Sequence, residues 1–195
     1  MIYVSFVSKN SPYEKVVEDY LIPTLKKFNL KYDIDYIGNR GSWIANIQYK
    51  PEFIRKMLLK HKQSIISLDA DATIEKNPIL FETIQDYDIA VHYLDWRTWY
   101  KKSYDKLELL GGTQYFAYNE KVLSLIEEWI RRQQTKVQWA QQVFQQLIFE
   151  RREELKLYQL PISYCFIEND RHKEEQKDAV ILHHQVSRKY RNRKF

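Results

Sequence analysis

Cysteine and glycine are both scarce in this sequence. Cys165 is the single cysteine among 195 residues, so no disulfide can form within the chain. We therefore expect a reducing, cytoplasmic environment. The four glycines form two pairs, Gly38 with Gly41 and Gly111 with Gly112. Because glycine allows sharp turns and close approach of the backbone to a ligand, we expect both pairs to lie beside a binding site.

Signals that define several other protein classes are also missing. No apolar run approaches the roughly 20 residues that a membrane-spanning helix needs. The first residues, MIYVSFVSKN, lack the basic leading region of a secretory signal, so we expect no such signal. No Gly-x-Gly-x-x-Gly or Walker-type loop is found, which argues against a dinucleotide oxidoreductase or a P-loop nucleotidase.

The composition predicts a folded, mildly basic protein. The chain is 44% hydrophobic and 15% aromatic, and its length suits one domain. The formal net charge of +5 favours an anionic partner such as a nucleoside diphosphate. We predict a domain over residues 1–187 and a basic tail over 188–195. The tail, RKYRNRKF, is either a solvated chain end or a contact for an anionic membrane surface or a nucleic acid.

The order of apolar patterns predicts an α/β fold. A strand is expected over Ile2–Val7, then an amphipathic helix over Tyr13–Phe28 that Pro23 breaks or kinks near Ile22. Further elements are expected in the order strand, helix, strand: Asp33–Ile37, Pro51–Lys60 and Asp88–His92. Strands that alternate with helices in this way predict a mostly parallel sheet flanked by helices.

Two aspartates follow a short apolar strand within Ser64–Phe81. Ile65–Leu68 reads as a buried parallel strand, and Asp69 and Asp71 lie at its carboxyl end, where open α/β sheets bind ligands. Two neighbouring carboxylates repel each other, and a divalent cation would relieve that repulsion. Oxygen ligands suit Mg²⁺ or Mn²⁺. The alternative interpretation is that both aspartates are solvated loop residues.

The segment SLDADATIEKNPILF resembles the metal-binding Asp-x-Asp segment of GT-A glycosyltransferases, the nucleotide-diphospho-sugar transferase superfamily. The likeness is to glycogenin-like and lipopolysaccharide-type enzymes and to short phage and bacterial members. The resemblance implies a single-domain GT-A fold, transfer of a sugar from a nucleoside-diphosphate donor, and Mn²⁺ or Mg²⁺ as cofactor. Asp69 would then contact both the metal and the donor.

Two later segments extend this resemblance. In LLGGTQYFAY, a Gly-Gly turn would lead into a strand from Gln114 and place Gly111, Gly112 and Thr113 at the donor. The alternative is a turn that the fold alone requires. In AVILHHQVSRK, the spacing of His183 and Lys189 matches enzymes with a late metal-binding histidine.

The resemblance assigns His183 as the third metal ligand, with His184 left as the alternative. It assigns Arg188 and Lys189 to the diphosphate. The family's glycine after the histidine is Val186 here, and no Pro-Trp follows. A purely structural histidine is the competing interpretation.

Other donor and acceptor residues are assigned by position. Trp43, Asn46 and Lys50 would lie near the donor, or else serve as a core tryptophan and a solvated lysine. The segment Tyr93–Lys106 reads as a surface loop. Within it, Trp96, Arg97 and Trp99 would form an acceptor platform or a lid that packs on the core.

The catalytic group is less well defined. The family's Asp-Gln pair is replaced by Gln141-Gln142, so the weak candidates are Asp95, Glu108 and Gln141. The acceptor is expected to be a glycan or lipopolysaccharide, a protein, or a modified base of phage DNA. Neither retention nor inversion is indicated, and no oligomeric state is indicated.

Two further interpretations remain open. One is a degenerate GT-A module that binds nucleotide, sugar or nucleic acid without turnover. The other is a metal-dependent phosphoryl or nucleotidyl transferase.

Overall fold

The computed structural model describes residues 1–135 and 138–190. The strands are β1 (Ile2–Ser8), β2 (Tyr32–Ile37), β3 (Ile65–Leu68), β4 (Ala72–Ile74), β5 (Ile89–Asp95), β6 (Leu107–Phe116), β7 (Leu157–Gln159), β8 (Phe166–Ile167) and β9 (Ile181–His183). The helices are α1 (Pro12–Val16), α2 (Ile22–Lys27), α3 (Trp43–Ile47), α4 (Lys50–His61), α5 (Leu80–Thr83), α6 (Trp96–Trp99), α7 (Glu120–Thr135), α8 (Ala140–Glu150), α9 (Lys173–Gln176) and α10 (Ser187–Tyr190). A π-helical segment, Val17–Leu21, joins α1 to α2, and two 3₁₀ turns cover Ile162–Tyr164 and Asp170–His172.

The central sheet has six strands in the order β2-β1-β3-β6-β5-β7. Strand β6 runs antiparallel to β3 and β5, while the other pairings are parallel. All four residues of β3 are buried, as expected for a strand that is covered on both faces. The mostly parallel α/β sheet confirms the predicted fold class.

A second, smaller sheet was not predicted. It has the order β4-β9-β8, and its strands are too short to give a clear sequence pattern. Ala72 in β4 pairs with His183 in β9. This pairing brings the end of the chain's last strand beside the turn that contains the two aspartates.

Helices α4, α7 and α8 form one packed layer, and α8 also contacts β6. The Trp129 ring of α7 stacks on Phe144 of α8 with ring centroids 4.1 Å apart. Both rings are fully buried. Burial of a large apolar side chain contributes about 1.5–3 kcal/mol, so this layer anchors the helices that flank the site.

The structure adds detail to one local prediction and shows that two others were wrong. The first helical stretch was expected to break or kink near Ile22; it continues through a π turn, in which the Ile22 N–H donates to the Val17 carbonyl, and Pro23 lies in the first turn of α2. Gly111 and Gly112 lie inside β6, where the register with β5 shifts, and do not form a turn. Tyr93–Lys106 is not entirely loop, since it contains the end of β5 and helix α6.

The predicted basic tail is only partly described. Helix α10 includes Arg188 and Lys189, both of which are exposed, while residues 191–195 lie outside the described part of the chain. None of the described helices is both long enough and apolar enough to cross a lipid bilayer.

Candidate active site

Asp69, Asp71 and His183 converge on one point. One ligand atom from each of the three side chains lies within 4.8 Å of the others. Asp69 and Asp71 stand in the turn between β3 and β4, and His183 ends β9. The pairing of β4 with β9 therefore assembles a cluster from residues that are more than 110 positions apart in the sequence.

Burial shifts the pKa values of Asp71 and His183, the two buried residues of this cluster. Burial and the neighbouring carboxylate of Asp69 raise the pKa of Asp71 to about 6. The Val186 N–H donates a 2.7 Å hydrogen bond to the Asp71 carboxylate. Burial also lowers the pKa of His183 to about 4, so its imidazole is neutral at pH 7. Neutral imidazole is the form that binds metals.

The His183 ring is held in a way that suits metal binding. Its Nε2 lies 2.9 Å from the Thr113 hydroxyl, whereas its buried Nδ1 has no hydrogen-bond partner in the described chain. An Nε2–H that donates to Thr113 leaves Nδ1 with a free lone pair. Two carboxylates with one neutral imidazole form a ligand set that fits Mn²⁺ or Mg²⁺.

Gly112 makes room for this ring. A Cβ atom at Gly112 would lie 2.7 Å from Cε1 of His183 and 2.8 Å from its Nδ1. Any side chain at this position would therefore displace the imidazole. At Gly111 the nearest atom to such a Cβ is the Gln141 Oε1 at 3.1 Å, which belongs to a movable side chain.

His184 belongs to a different environment. Its Nε2 lies 2.9 Å from the Thr73 hydroxyl and its Nδ1 lies 3.0 Å from the Glu168 carboxylate. The Tyr20 ring packs on it at 4.8 Å. Of the two adjacent histidines, the structure therefore places His183 with the aspartates.

Lys50 connects the cluster to β6. Its Nζ lies 3.0 Å from Oδ1 of Asp69 and also donates to the Gly111 carbonyl. The Lys50 side chain is only 11% exposed, although that of Asp69 is 51% exposed. This ion pair orients the Asp69 carboxylate and reduces its repulsion of Asp71.

Two connected pockets open beside the cluster. The first, here called the β1 pocket, lies at the carboxyl end of β1. It is lined by Phe6, Val7, Ser8, Ser11, Tyr13, Trp43, Asn46, Ile47, Leu68, Asp69, Ala70, Asp71 and Ser187. It is mainly apolar, with the two aspartates at one side. An apolar cleft with a few convergent polar groups is the usual form of a ligand site.

The second, here called the outer pocket, shares Phe6, Trp43 and Asp69 with the first and extends toward α6 and α8. Its wall includes Trp96, Tyr100, Lys102, Lys106, Glu108, Leu110, Gly111, Gln114, Trp129, Trp139, Gln141 and Arg188. The Lys106 ammonium lies 3.6 Å from the Trp96 ring centroid. Glu108 accepts hydrogen bonds from Trp96 Nε1 at 2.6 Å and Gln141 Nε2 at 3.0 Å.

Comparison with known proteins identifies the family. The family model for nucleotide-diphospho-sugar transferases matches residues 33–194. The chain belongs to the nucleotide-diphospho-sugar transferase family. It is therefore a glycosyltransferase that takes its sugar from a nucleoside diphosphate. A search of curated protein sequences found no match.

Solved structures of glycosyltransferases share the fold of this transferase. A glycosyltransferase involved in the glycosylation of the major capsid of PBCV-1 is similar with a TM-score of 0.70 and 12% identity, over 97% of both chains. Mouse xyloside xylosyltransferase 1 gives a TM-score of 0.56 and 12% identity, over 96% of this chain and 99% of that one.

The galactosyltransferase LgtC in complex with donor and acceptor sugar analogs gives a TM-score of 0.55 and 8% identity, over 95% of this chain and 87% of that one. These likenesses confirm the GT-A fold.

The remaining donor residues predicted for this transferase occupy several different positions. Trp43 and Asn46 line the β1 pocket, and Trp43 also packs edge-to-face on Trp139. Gly112 and Thr113 contact His183 and do not line either pocket. Arg188 lines the outer pocket, whereas the exposed Lys189 lines neither.

The predicted acceptor platform is only partly present. Trp96 lines the outer pocket, but Arg97 pairs with Asp105 at 2.8 Å outside it. The Trp99 ring is buried and stacks on His172 at 4.0 Å, so it packs on the core as the alternative interpretation had it.

The three weak catalytic candidates do not all lie at the same site. Asp95 caps α6 through a 2.9 Å bond from the Arg97 N–H, whereas Glu108 and Gln141 line the outer pocket.

Sequence reasoning missed several residues of the pockets. Phe6 could have been selected, because it lies near the carboxyl end of a parallel strand. Gln114 and Trp139 carried no comparable signal. Gln114 was interpreted only as part of a strand, and Trp139 was not selected.

Proposed function

We propose that this transferase moves a sugar from a nucleoside-diphosphate donor to an acceptor hydroxyl with a divalent metal held by Asp69, Asp71 and His183. The observation that carries the proposal is the buried, unpartnered Nδ1 of His183 beside two carboxylates. Mn²⁺ or Mg²⁺ bound there would neutralise charge on the leaving diphosphate.

The β1 pocket is the proposed site of the nucleoside. Its apolar walls and the Trp43 ring offer stacking surfaces, and Asn46 offers polar groups at its rim. Lys50 holds Asp69 in place, and the exposed Arg188 and Lys189 of α10 add positive charge for the diphosphate. The sugar would then extend past Asp69 into the outer pocket.

The outer pocket is the proposed site of sugar transfer. The bond between the sugar and the diphosphate breaks, the acceptor oxygen forms the new glycosidic bond, and the acceptor proton must be removed. Glu108 is the carboxylate we propose for this proton, because Trp96 and Gln141 hold it at the pocket wall. Trp96 would support the acceptor.

The proposed acceptor classes are those expected from the sequence. A glycan or lipopolysaccharide, a protein, and a modified DNA base all present suitable hydroxyls. The similar enzyme involved in glycosylation of a viral major capsid makes protein-linked acceptors the first to test.

Metal binding is tested with matched histidine variants. Mn²⁺ is titrated calorimetrically into the wild type, His183→Ala and His184→Ala. We expect binding to be lost in His183→Ala and kept in His184→Ala, because only His183 faces the aspartates. Loss of binding in both variants or in neither would contradict the assignment.

Transfer is tested by hydrolysis of a panel of nucleoside-diphosphate sugars with and without Mn²⁺. Metal-dependent release of nucleoside diphosphate is expected for the wild type and for the exposed control Asp178→Ala, but not for Asp71→Ala. Nucleotide binding without any turnover would instead favour a degenerate binding module.

A further inference from the structure

Gln114 is a buried amide without a hydrogen-bond partner among residues 1–135 and 138–190. It lies in the interior of β6, opposite Ser67 of β3 and Val91 of β5, and its side chain is fully buried. Neither Oε1 nor Nε2 has a hydrogen-bond partner in the described chain. Both a donor and an acceptor are therefore unsatisfied at one residue.

Other glutamines that contact the same strand are satisfied. Gln141 accepts from the Gly111 N–H and donates to Glu108. Gln145 accepts from the Leu109 N–H and donates to the Leu107 carbonyl. These two residues brace β6 from α8, so their amides have structural partners. Gln114 does not share that role.

An unpaired buried amide costs free energy that an apolar side chain of similar size would avoid. Buried polar groups in native proteins nearly always have a partner, and an exception calls for a specific explanation. Leucine or methionine at this position would avoid that cost. A ligand that supplies the missing hydrogen bonds explains why an amide is present.

The position of Gln114 indicates which part of a ligand would reach it. Gln114 lines the outer pocket and does not line the β1 pocket. The Asp69 N–H bonds to the Gly112 carbonyl at 2.9 Å, which fixes the end of β3 against β6. Gln114 is two strand positions beyond Gly112, or about 7 Å deeper along β6. A group bound there lies past the metal cluster, on the side away from the nucleoside.

We propose that Gln114 recognises the sugar that is transferred, with its Nε2 donating to one hydroxyl and its Oε1 accepting from a neighbouring one. The ligand class is a polyhydroxylated sugar linked to a nucleoside diphosphate. The inference rests on the proposed function. Phe6, Leu110 and Trp129 also line the outer pocket and are apolar, so Gln114 adds directional polar contacts to those that they make.

The test compares binding of sugar nucleotides with binding of the nucleoside diphosphates alone. UDP-glucose, UDP-galactose, UDP-N-acetylglucosamine, GDP-mannose, UDP and GDP are titrated with Mn²⁺ into the wild type, Gln114→Met and the control Gln145→Met. Gln114→Met keeps the side-chain volume and removes both polar groups. Gln145→Met removes an amide whose partners are backbone groups.

We expect Gln114→Met to weaken binding of the preferred sugar nucleotide by about tenfold or more while binding of UDP or GDP is unchanged. Its thermal midpoint should be equal to or above that of the wild type, because no native hydrogen bond is lost. Gln145→Met should lower the midpoint and keep the ratio of sugar-nucleotide to nucleotide affinity.

Monodeoxy analogues of the preferred donor complete the test. At one hydroxyl, the wild type should lose affinity for the deoxy analogue, and Gln114→Met should show no further loss. Unchanged sugar-nucleotide affinity in Gln114→Met, or an equal loss for UDP or GDP, would overturn the inference. If the wild type binds no sugar nucleotide, the proposed function fails and this inference fails with it.

Discussion

Burial shifts the pKa values of Asp71 and His183 in opposite directions. The raised pKa of Asp71, about 6, means that ionisation of its carboxylate is less favourable than in water. The lowered pKa of His183, about 4, shows that its ring stays neutral. A bound cation would stabilise both the carboxylate and the neutral imidazole. The cluster is therefore better suited to a metal than to an empty, solvated cavity.

The first prediction concerns the stability of the metal-free protein. A pKa of about 6 in the folded state lies above the unfolded value, so the folded protein keeps a proton between about pH 4 and 6 that the unfolded chain has lost. Stability contributed by Asp71 therefore falls as pH rises through this window. We expect Asp71→Asn in EDTA to raise the free energy of unfolding at pH 7 by up to about 3 kcal/mol.

Urea denaturation between pH 4 and 7 measures this effect. The Asn oxygen still accepts from the Val186 N–H. The gain should shrink as the pH falls from about 6 toward 4, because Asp71 is then protonated in the folded state and increasingly protonated in the unfolded chain. The exposed Asp178→Asn serves as the control. A variant that is less stable than the wild type at every pH would show that the Asp71 charge does not lower the free energy of unfolding.

The second prediction concerns Gly112. In Gly112→Ala the added methyl group meets the His183 ring, whose nearest atom lies 2.7 Å from the Cβ position. We expect the free energy of unfolding to fall by about 1–3 kcal/mol. Mn²⁺ affinity should fall by about tenfold or more, because the imidazole is displaced.

Gly111→Ala is the matched control, since its Cβ lies near the side-chain ends of Gln141 and Lys50 and not near His183. Thermal unfolding and Mn²⁺ calorimetry measure both variants. Equal Mn²⁺ affinity in Gly112→Ala and the wild type would contradict the assigned position of the His183 ring.

Among the strands and helices, those with a clear local hydrophobic pattern were predicted from the sequence. β3 is a continuous apolar run, and α4 has a regular apolar face with proline in its first turn, so both were recognisable. The Gly-Gly segment was misinterpreted as a turn. Gly112 is required by a histidine about 70 residues later, a contact that no local pattern reveals.

The third prediction concerns the connection between α2 and β4. The Ile74 N–H donates a 3.0 Å hydrogen bond to the Thr24 hydroxyl, which in turn donates to the Leu21 carbonyl. Thr24→Val keeps the shape of the side chain and leaves the Ile74 N–H without this partner. We expect a loss of about 1–3 kcal/mol in the free energy of unfolding.

Thr83→Val is the control for the loss of a hydroxyl. The exposed Thr83 bonds only the Leu80 carbonyl of its own turn, so its replacement should change stability by less than about 0.5 kcal/mol. Chemical denaturation measures both variants. Equal stability of Thr24→Val and the wild type would show that β4 is held by its pairing with β9 alone.

At the scale of the whole molecule, fold and family were predictable but most of the pocket walls were not. Asp69 and Asp71 were found from a local motif, whereas His183 depended on the resemblance. The solved structures that share this fold are only 8–12% identical to the chain, so most side chains differ between them and this protein. Gln114 and Glu108 could be placed at the outer pocket only once β6, α6 and α8 were positioned together.

The last prediction concerns the net charge of the chain. Removal of residues 191–195 deletes Arg191, Arg193 and Lys194, so the formal net charge falls from +5 to +2. Each basic residue near an anionic membrane contributes about 1 kcal/mol, so affinity for phosphatidylserine vesicles should fall by roughly 100-fold. Hydrolysis of the preferred donor should be unchanged, because the proposed site residues are all retained.

Vesicle sedimentation with and without phosphatidylserine measures this effect, and duplex DNA at two salt concentrations is tested in parallel. Because nonspecific DNA binding depends steeply on salt, a truncation that affects DNA but not vesicles would assign the tail to nucleic acid instead. Equal vesicle binding by both proteins would contradict a role for these cations. In that case the positive residues around the outer pocket, Lys102, Lys106 and Arg188, would be the ones that attract anionic partners.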